Sequence, residues 1–416
     1  MRRICLALAL VLAVPSVALA TDARIQSLGG AEKAWTVVDE TNALSLPSTL
    51  LLFPNTVWAD AGMAPGYAVA GTTANNLDTN AGFGLHLSLG PNTVLAFYGS
   101  SLSRTVSDSV LQQSLGWTQS DVSSTDLSGD TNAVHNADHQ GTIALGQKAG
   151  TTRLGFMVSI WGDSYKITDP EILKEERGGT IVEGKFGLGF DLARQNSFDV
   201  ALGFQVGMFT DDRYQDGGMV TRLKGDTEWG VDLLARGVFG IPGGEKLIPY
   251  AAFGTGGGGV KWNQPIQNAP EAKFSGLGGV VGADLSIQPL EDVFVLPGMG
   301  VRFSSFDLED TGETALKTAQ ILPFFGAAVD ARVSSWLSLR FGSRQSVSFL
   351  TTETEAQTTS TSDVISEFTL GTGMQFGNVV IDLMLNPEFL TEGPNMLSGN
   401  KLSDGFATEA SVKFTW

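Results

Sequence analysis

Apolar and polar residues alternate along this chain nearly from end to end, and the segment 406–416 shows the pattern most clearly. Successive side chains of a β-strand point to opposite faces, so alternation predicts a strand with one apolar face. Because this strand stops at the last residue, we expect its apolar face to meet lipid or a protein core. The residues of that face are Phe406, Ala410, Val412, Phe414 and Trp416.

The same alternation recurs inside the chain, in segments such as 152–161, 197–209 and 228–239. A soluble β-sandwich would also bury one face of each strand, so alternation alone leaves that fold open. The connections favour a membrane barrel, because short turns alternate with long polar segments such as 163–178 and 350–362, which are predicted to be loops.

The final strand, with Val412, Phe414 and a terminal Trp416, resembles the assembly signal of bacterial outer-membrane β-barrels. The alternating segments predict an all-β fold, a transmembrane antiparallel barrel of about 14–16 strands over residues 55–416. Sixteen strands are preferred, and fourteen is the alternative if the strand near Thr56 and a neighbour belong to a plug. We therefore predict a monomer in the outer membrane, with membrane lipids and the barrel-assembly machinery as its partners.

Residues 1–20 read as a secretory signal peptide, with Arg2-Arg3, an apolar run over 4–14 and the small-x-small site Ala18-Leu19-Ala20. The apolar run is shorter than the roughly 20 residues that a membrane-spanning helix needs. The chain has a single cysteine, Cys5, inside this run, so we expect no disulfide and no thiol chemistry in the mature protein. The formal net charge of −18 argues against nucleic acid as a partner.

The segment 21–54 does not alternate and has its own order of motifs. Leu28-Gly29-Gly30-Ala31 precedes an Asp-led stretch, Asp39–Leu50. This order is similar to the start of long-chain fatty-acid transporter (FadL-type) and PorV-type outer-membrane barrels, although Leu46 stands where those families have Asn. The resemblance implies that 21–54 folds inside the barrel as a plug; a disordered periplasmic tail is the alternative. The plug residues would include Leu28, Gly29, Gly30, Asp39, Asn42 and Pro47.

If the apolar face meets lipid, the opposite face lines a lumen that carries charges of both signs. Such charges must pair or stay hydrated, which predicts salt bridges and water rather than a bulk ion-selective pore. Arg340 and Arg344 share a face and could bind an anion or a carboxylate headgroup. The candidate ligand-binding residues of the lumen are Arg340, Arg344, Arg236, Arg302, Trp161, Phe209 and Phe324.

Motifs of enzymes, cofactor sites and metal sites are not convincing. The pair His135-x-x-x-His139 lies in a polar loop, where we expect solvated side chains rather than a metal site. No enzyme activity, cofactor or metal is predicted. The leading hypothesis is passive, plug-gated uptake of hydrophobic or amphipathic small molecules, as the FadL-type resemblance implies. The alternatives are a structural, adhesive or secretion-associated protein that acts through its external loops, and a general porin.

Overall fold

A computed structural model describes most of the chain. It covers residues 22–29, 33, 36–63, 79–105, 136–169, 173–192, 196–215, 218–225, 228–262, 271–310, 316–354, 357–385 and 407–416. The predicted signal peptide 1–20, the plug candidate Gly30 and His135 lie outside these residues. Within the described ranges, no helix is long and apolar enough to cross a membrane.

Within the residues that the structure describes, three short helices precede a long series of strands. The helices are α1 (Asp22–Ser27), α2 (Asn42–Ser45) and a 3-10 helix (Pro47–Leu52). The strand segments are β1 Thr56–Met63, β2 Thr79–Gly90, β3 Thr93–Thr105, β4 Asn136–Ala149, β5 Thr152–Asp169, β6 Leu173–Asp191, β7 Ser197–Gln215, β8 Gly218–Gly225, β9 Glu228–Gly240, β10 Lys246–Trp262, β11 Glu271–Leu290, β12 Val293–Asp310, β13 Leu316–Arg332, β14 Leu337–Glu353, β15 Thr358–Phe376, β16 Val379–Leu385 and β17 Ala407–Thr415.

The segments form one closed antiparallel barrel. Consecutive segments pair as hairpins, except β8 and β9, and β1 pairs with both β2 and β17, which closes the sheet. Segments β8 and β9 each pair with β7 and β10, so together they make one strand of the wall. The barrel therefore has sixteen strands. The preferred strand number is confirmed, and the alternative of fourteen is wrong.

The outer surface of the barrel is apolar. On β7, the side chains of Leu202, Phe204 and Val206 are 49%, 57% and 41% exposed, whereas the alternate residues Ala201 and Gln205 are buried. Phe414 and Trp416 also point outward, as their alternation predicts. A closed barrel satisfies every strand's hydrogen bonds internally, so its outer surface can face hydrocarbon. The fold is therefore that of a transmembrane β-barrel.

Two segments predicted as loops are largely strand. The β5–β6 ladder continues to Asp169 opposite Leu173, and the β14–β15 ladder continues to Glu353 opposite Thr358. Polar side chains on both faces led to the loop prediction for 163–178 and 350–362. A ribbon that rises out of the membrane can be polar on both faces, because backbone pairing rather than burial holds its strands together.

The N-terminal segment packs against the inward face of the wall. The 3-10 helix contacts β3 to β7, and α1 contacts β14 to β17. Leu46 joins a buried cluster with Val280 and Phe324, and Leu50 joins another with Trp58. Much of the barrel's interior core is thus completed by residues that precede the first strand.

Candidate functional site

Glycines of the wall make room for the backbone of the N-terminal segment. A Cβ atom at Gly155 would collide with the Pro47 carbonyl and lie 2.5 Å from Ser48 N. A Cβ atom at Gly187 would lie 2.8 Å from the same Ser48 nitrogen. On the opposite side of the barrel, Gly342 stands in the same relation to the Leu28–Gly29 peptide. At these positions glycine leaves space for the backbone of the N-terminal segment, and the side chain of any larger residue would occupy that space.

Asp199 is the centre of a buried polar cluster where the 3-10 helix meets the wall. Its carboxylate accepts from Arg153 at 3.2 Å and from Arg236 at 3.1 Å, and it accepts the Ser48 hydroxyl at 3.0 Å. Arg236 also donates to the Asn42 side chain at 3.2 Å. One wall carboxylate therefore orients two wall arginines and the N-terminal segment together.

A second cluster ties α1 to the far wall. Arg24 contacts Asp39 at 3.2 Å and Asp330 at 3.4 Å. Asp330 also pairs with Arg340 at 3.3 Å, and Arg340 bonds to Asp382 at 2.5 Å. The charges alternate in sign along this series, which lowers the cost of keeping them inside the barrel.

Adjacent carboxyl groups extend this cluster. Asp39 and Glu40 are both buried, and Lys413 of the last strand contacts Glu40 at 3.0 Å. Burial raises the pKa of Glu40 to about 8, with the Asp39 carboxylate adding to the effect and Lys413 opposing it. Burial also disfavours the charged form of Asp39, but Arg24, the hydrogen bonds with Glu40 and Lys413 together hold the pKa of Asp39 below its usual value.

A third attachment lies at Lys33. Its ammonium group bonds to Asp284 at 2.5 Å and to the Leu296 carbonyl at 3.1 Å, and the Thr36 hydroxyl donates to the same Asp284 at 2.7 Å. Lys33 and Asp284 are both more than nine-tenths buried. The N-terminal segment is therefore held by charge at well-separated points around the barrel.

The arginines predicted to bind an anionic headgroup already have acidic partners. Arg340 is held by Asp330 and Asp382, and Arg344 donates to Glu367 at 3.0 Å. A ligand carboxylate would have to displace one of these groups.

The other predicted lumen residues are dispersed. Phe324 is buried in the cluster with Leu46, Trp161 packs beside Ile181, and Arg302 is opposite Val280 and Leu322 in the sheet. The side chain of Phe209 lies outside the described part of the chain. The structure brings Arg236 together with Asn42, but it does not gather the arginines and aromatic residues into a single pocket.

Sequence reasoning missed the acidic partners of the N-terminal segment. Asp199 and Asp284 fall on the inward face by alternation, so their position could be predicted. Their pairing with Ser48, Lys33 and Thr36 could not, because it joins residues between 151 and 251 positions apart. Arg24 and Lys33 gave no local signal, since neither belongs to a strand.

Comparison with known proteins gives structural likenesses only. No protein-family model and no curated protein matches the chain. Among solved structures it is similar to CdiB from Escherichia coli, with 13% identity and a TM-score of 0.41 over 88% of this chain and 63% of that one. It is also similar to the open form of the ferric-catecholate import receptor Fiu from E. coli K12, with 7% identity and a TM-score of 0.38 over 79% and 69% of the two chains. A third likeness is to the ferric citrate transporter FecA in its unliganded form, with 8% identity and a TM-score of 0.36 over 80% and 66%. The chain thus spans less than two thirds of the length of CdiB and of FecA.

Proposed function

We propose that this barrel takes up small hydrophobic or amphipathic molecules passively, and that its N-terminal segment is the gate. The observation that carries the proposal is the way this segment occupies the interior. It is covalently joined to the wall only at β1, and side-chain contacts hold the rest. Such contacts can be broken and remade without unfolding the wall.

The attachments are strong enough to keep the gate closed at rest. Removing one partner from a buried ion pair costs about 3–5 kcal/mol, because the other charge is left uncompensated. Lys33–Asp284 and the Asp199 cluster are both of this buried kind. Opening therefore requires a ligand, or a change of charge, that replaces these contacts.

The proposed substrate class draws on the lining of the lumen and on the FadL-type resemblance of the N-terminal motifs. Buried aromatic residues such as Trp161 and Phe306 offer apolar contacts, while the wall charges keep water inside. A molecule with an apolar body and a polar end can use both environments. A general porin would need an open aqueous path, which the interior position of the N-terminal segment opposes.

Single-channel conductance in a planar bilayer tests the gate. The refolded full chain should be silent or flicker rarely, whereas a variant without residues 21–54 should give large, steady openings. Large, steady openings of the intact protein would make it a porin and refute the proposal. Silence of both proteins would favour a protein that acts through its external ribbons.

A further inference from the structure

An acidic patch lies on the inner face of β6, β7 and β9, on the side of the barrel interior that faces the long ribbons. Glu183 is opposite Gln205, which is opposite Gly230, and Gly203 is opposite Asp232. Glu228 begins β9 and is opposite Gly207. The Gln205 side chain lies over Gly230, with its Cγ 3.1 Å from an ideal Cβ there, and the Asp232 side chain lies over Gly203, so these glycines give the polar side chains room against the wall.

The patch has more negative charge than its surroundings neutralise. Lys185 contacts Glu183 at 2.7 Å and also donates to the Leu44 carbonyl of the N-terminal segment. Lys185 is also the cation that acts on Asp232, whose buried Oδ1 accepts no hydrogen bond. Glu228 is 5% exposed and has no hydrogen bond or ion pair among the residues that the structure describes. Among the described residues, Glu183 and Asp232 thus share Lys185, and Glu228 has no cationic partner.

Aromatic residues flank the unpaired carboxyl group. A Cβ atom at Gly258 would lie 2.7 Å from Glu228 Cγ and 2.8 Å from Phe274 Cζ, so these two side chains share the space over that glycine. Phe274 stacks on Phe306 with ring centroids 6.4 Å apart. On the other side of Glu228, the same inward row continues through Ile181 to the buried Trp161.

Carboxylates beside aromatic faces are the groups that recognise an organic ammonium ion. The carboxylate supplies the opposite charge, and the ring face attracts the cation, most strongly where water is excluded. The same arrangement repels a carboxylate headgroup. The arginines that could have favoured an anion are instead paired, Arg340 with Asp382 and Arg344 with Glu367.

We propose that the patch of Glu183, Glu228 and Asp232 with Trp161, Phe274 and Phe306 binds the cationic end of an amphipathic amine above the N-terminal segment. This inference rests on the proposed uptake function and names its substrate class. The ammonium group lies at Glu228 beside Phe274, where these two side chains share the space over Gly258, and the alkyl part lies along Phe274 and Phe306. The acidic balance of the chain, −18 at neutral pH, would concentrate such cations at the barrel.

Isothermal titration calorimetry on the refolded full chain in a neutral detergent tests this site with hexyltrimethylammonium and, for comparison, hexanoate. The ammonium ion should bind and hexanoate should not. Glu228→Gln should weaken ammonium binding by about tenfold or more, as expected for a lost charge-assisted contact. Glu353→Gln, which removes an equal charge at an exposed position on β14, should leave binding unchanged and controls for the general negative field.

A second variant keeps the test decisive if Glu228→Gln does not fold, as judged by loss of its heat-dependent gel shift. Phe274→Leu keeps an apolar side chain but removes the ring, and it should weaken ammonium binding by roughly 2- to 30-fold. Ammonium binding that is absent from the intact protein, equal in the folded variants or matched by hexanoate would overturn the amine site. Because binding does not require conduction, that result would not refute the gating proposal, which the conductance experiment tests separately.

Discussion

A single methyl group at Gly155 should open the gate. The ideal Cβ of Gly155→Ala overlaps the Pro47 carbonyl and lies 2.5 Å from Ser48 N. Ordinary contacts between such atoms are about 3.5–4.0 Å, so the 3-10 helix must retreat by about 1 Å. Ser48 holds Asp199 through a 3.0 Å hydrogen bond, and a retreat of this size would break it.

The expected energy follows from these contacts. Overpacking costs about 1–3 kcal/mol, and losing a hydrogen bond to a charged group adds about 1.5–3 kcal/mol. Some of this cost is relieved when the N-terminal segment moves away from the wall, so the equilibrium between the closed and open states of the gate shifts toward the open state. Even 1.4 kcal/mol is a tenfold change in population. We therefore expect the open probability of Gly155→Ala to rise at least tenfold.

Single-channel recording in a planar bilayer measures that probability directly. The matched control is Gly162→Ala on the same strand, where an added Cβ would meet nothing within 4 Å. Both proteins should show the heat-dependent gel shift of a folded barrel. If Gly155→Ala proves as silent as Gly162→Ala, the contact between wall and helix does not hold the gate.

Three further predictions concern the buried charges and the last strand. Asp199→Asn leaves two buried arginines without their shared carboxylate and should lower the free energy of unfolding in urea by about 3–5 kcal/mol, whereas the exposed Glu353→Gln should change it by less than about 0.5 kcal/mol. Burial raises the pKa of Glu40 from an ordinary 4.5 to about 8, so the undocked carboxyl releases its proton first and docking of the gate weakens as the pH rises through that interval. Glu40→Gln should flatten this part of the curve of open probability against pH, and an unchanged slope would assign it to another group. Trp416→Ala should reduce the amount of folded protein recovered from outer membranes, whereas Trp336→Ala, which removes another exposed aromatic residue at a short turn, should not.

The wall could be predicted from sequence because its signal is periodic. Alternation places Leu202 outward and Arg236 inward without any tertiary information, and repeated short turns fix the strand number. The ribbons were harder, since Thr358 and its neighbours are polar on both faces and carry no alternation. Their strand structure depends on pairing with β14 rather than on burial.

The interior could be predicted only in outline. Alternation identified Arg340 and Arg344 as inward-facing but could not show that carboxylates from other strands already occupy them. Glu228 and Trp161 were placed on the correct face, yet their position on one inward row depends on the register of four strands, which a single sequence does not specify. The amine site therefore emerges from the sheet register rather than from any motif.

The contact at Asn55 has a consequence for the order of assembly. Asn55 adopts a left-handed backbone conformation with φ of 53°, and its carbonyl accepts the amide of Trp416 at 3.1 Å. Lys413 meets Glu40 across a separation of 373 residues, and contacts this distant in sequence form late. We therefore expect the first part of the chain to reach its final position only when the last strand arrives. A newly made barrel would then pass through a transient, unsealed stage, and the cell envelope would be exposed to that leak each time one is built.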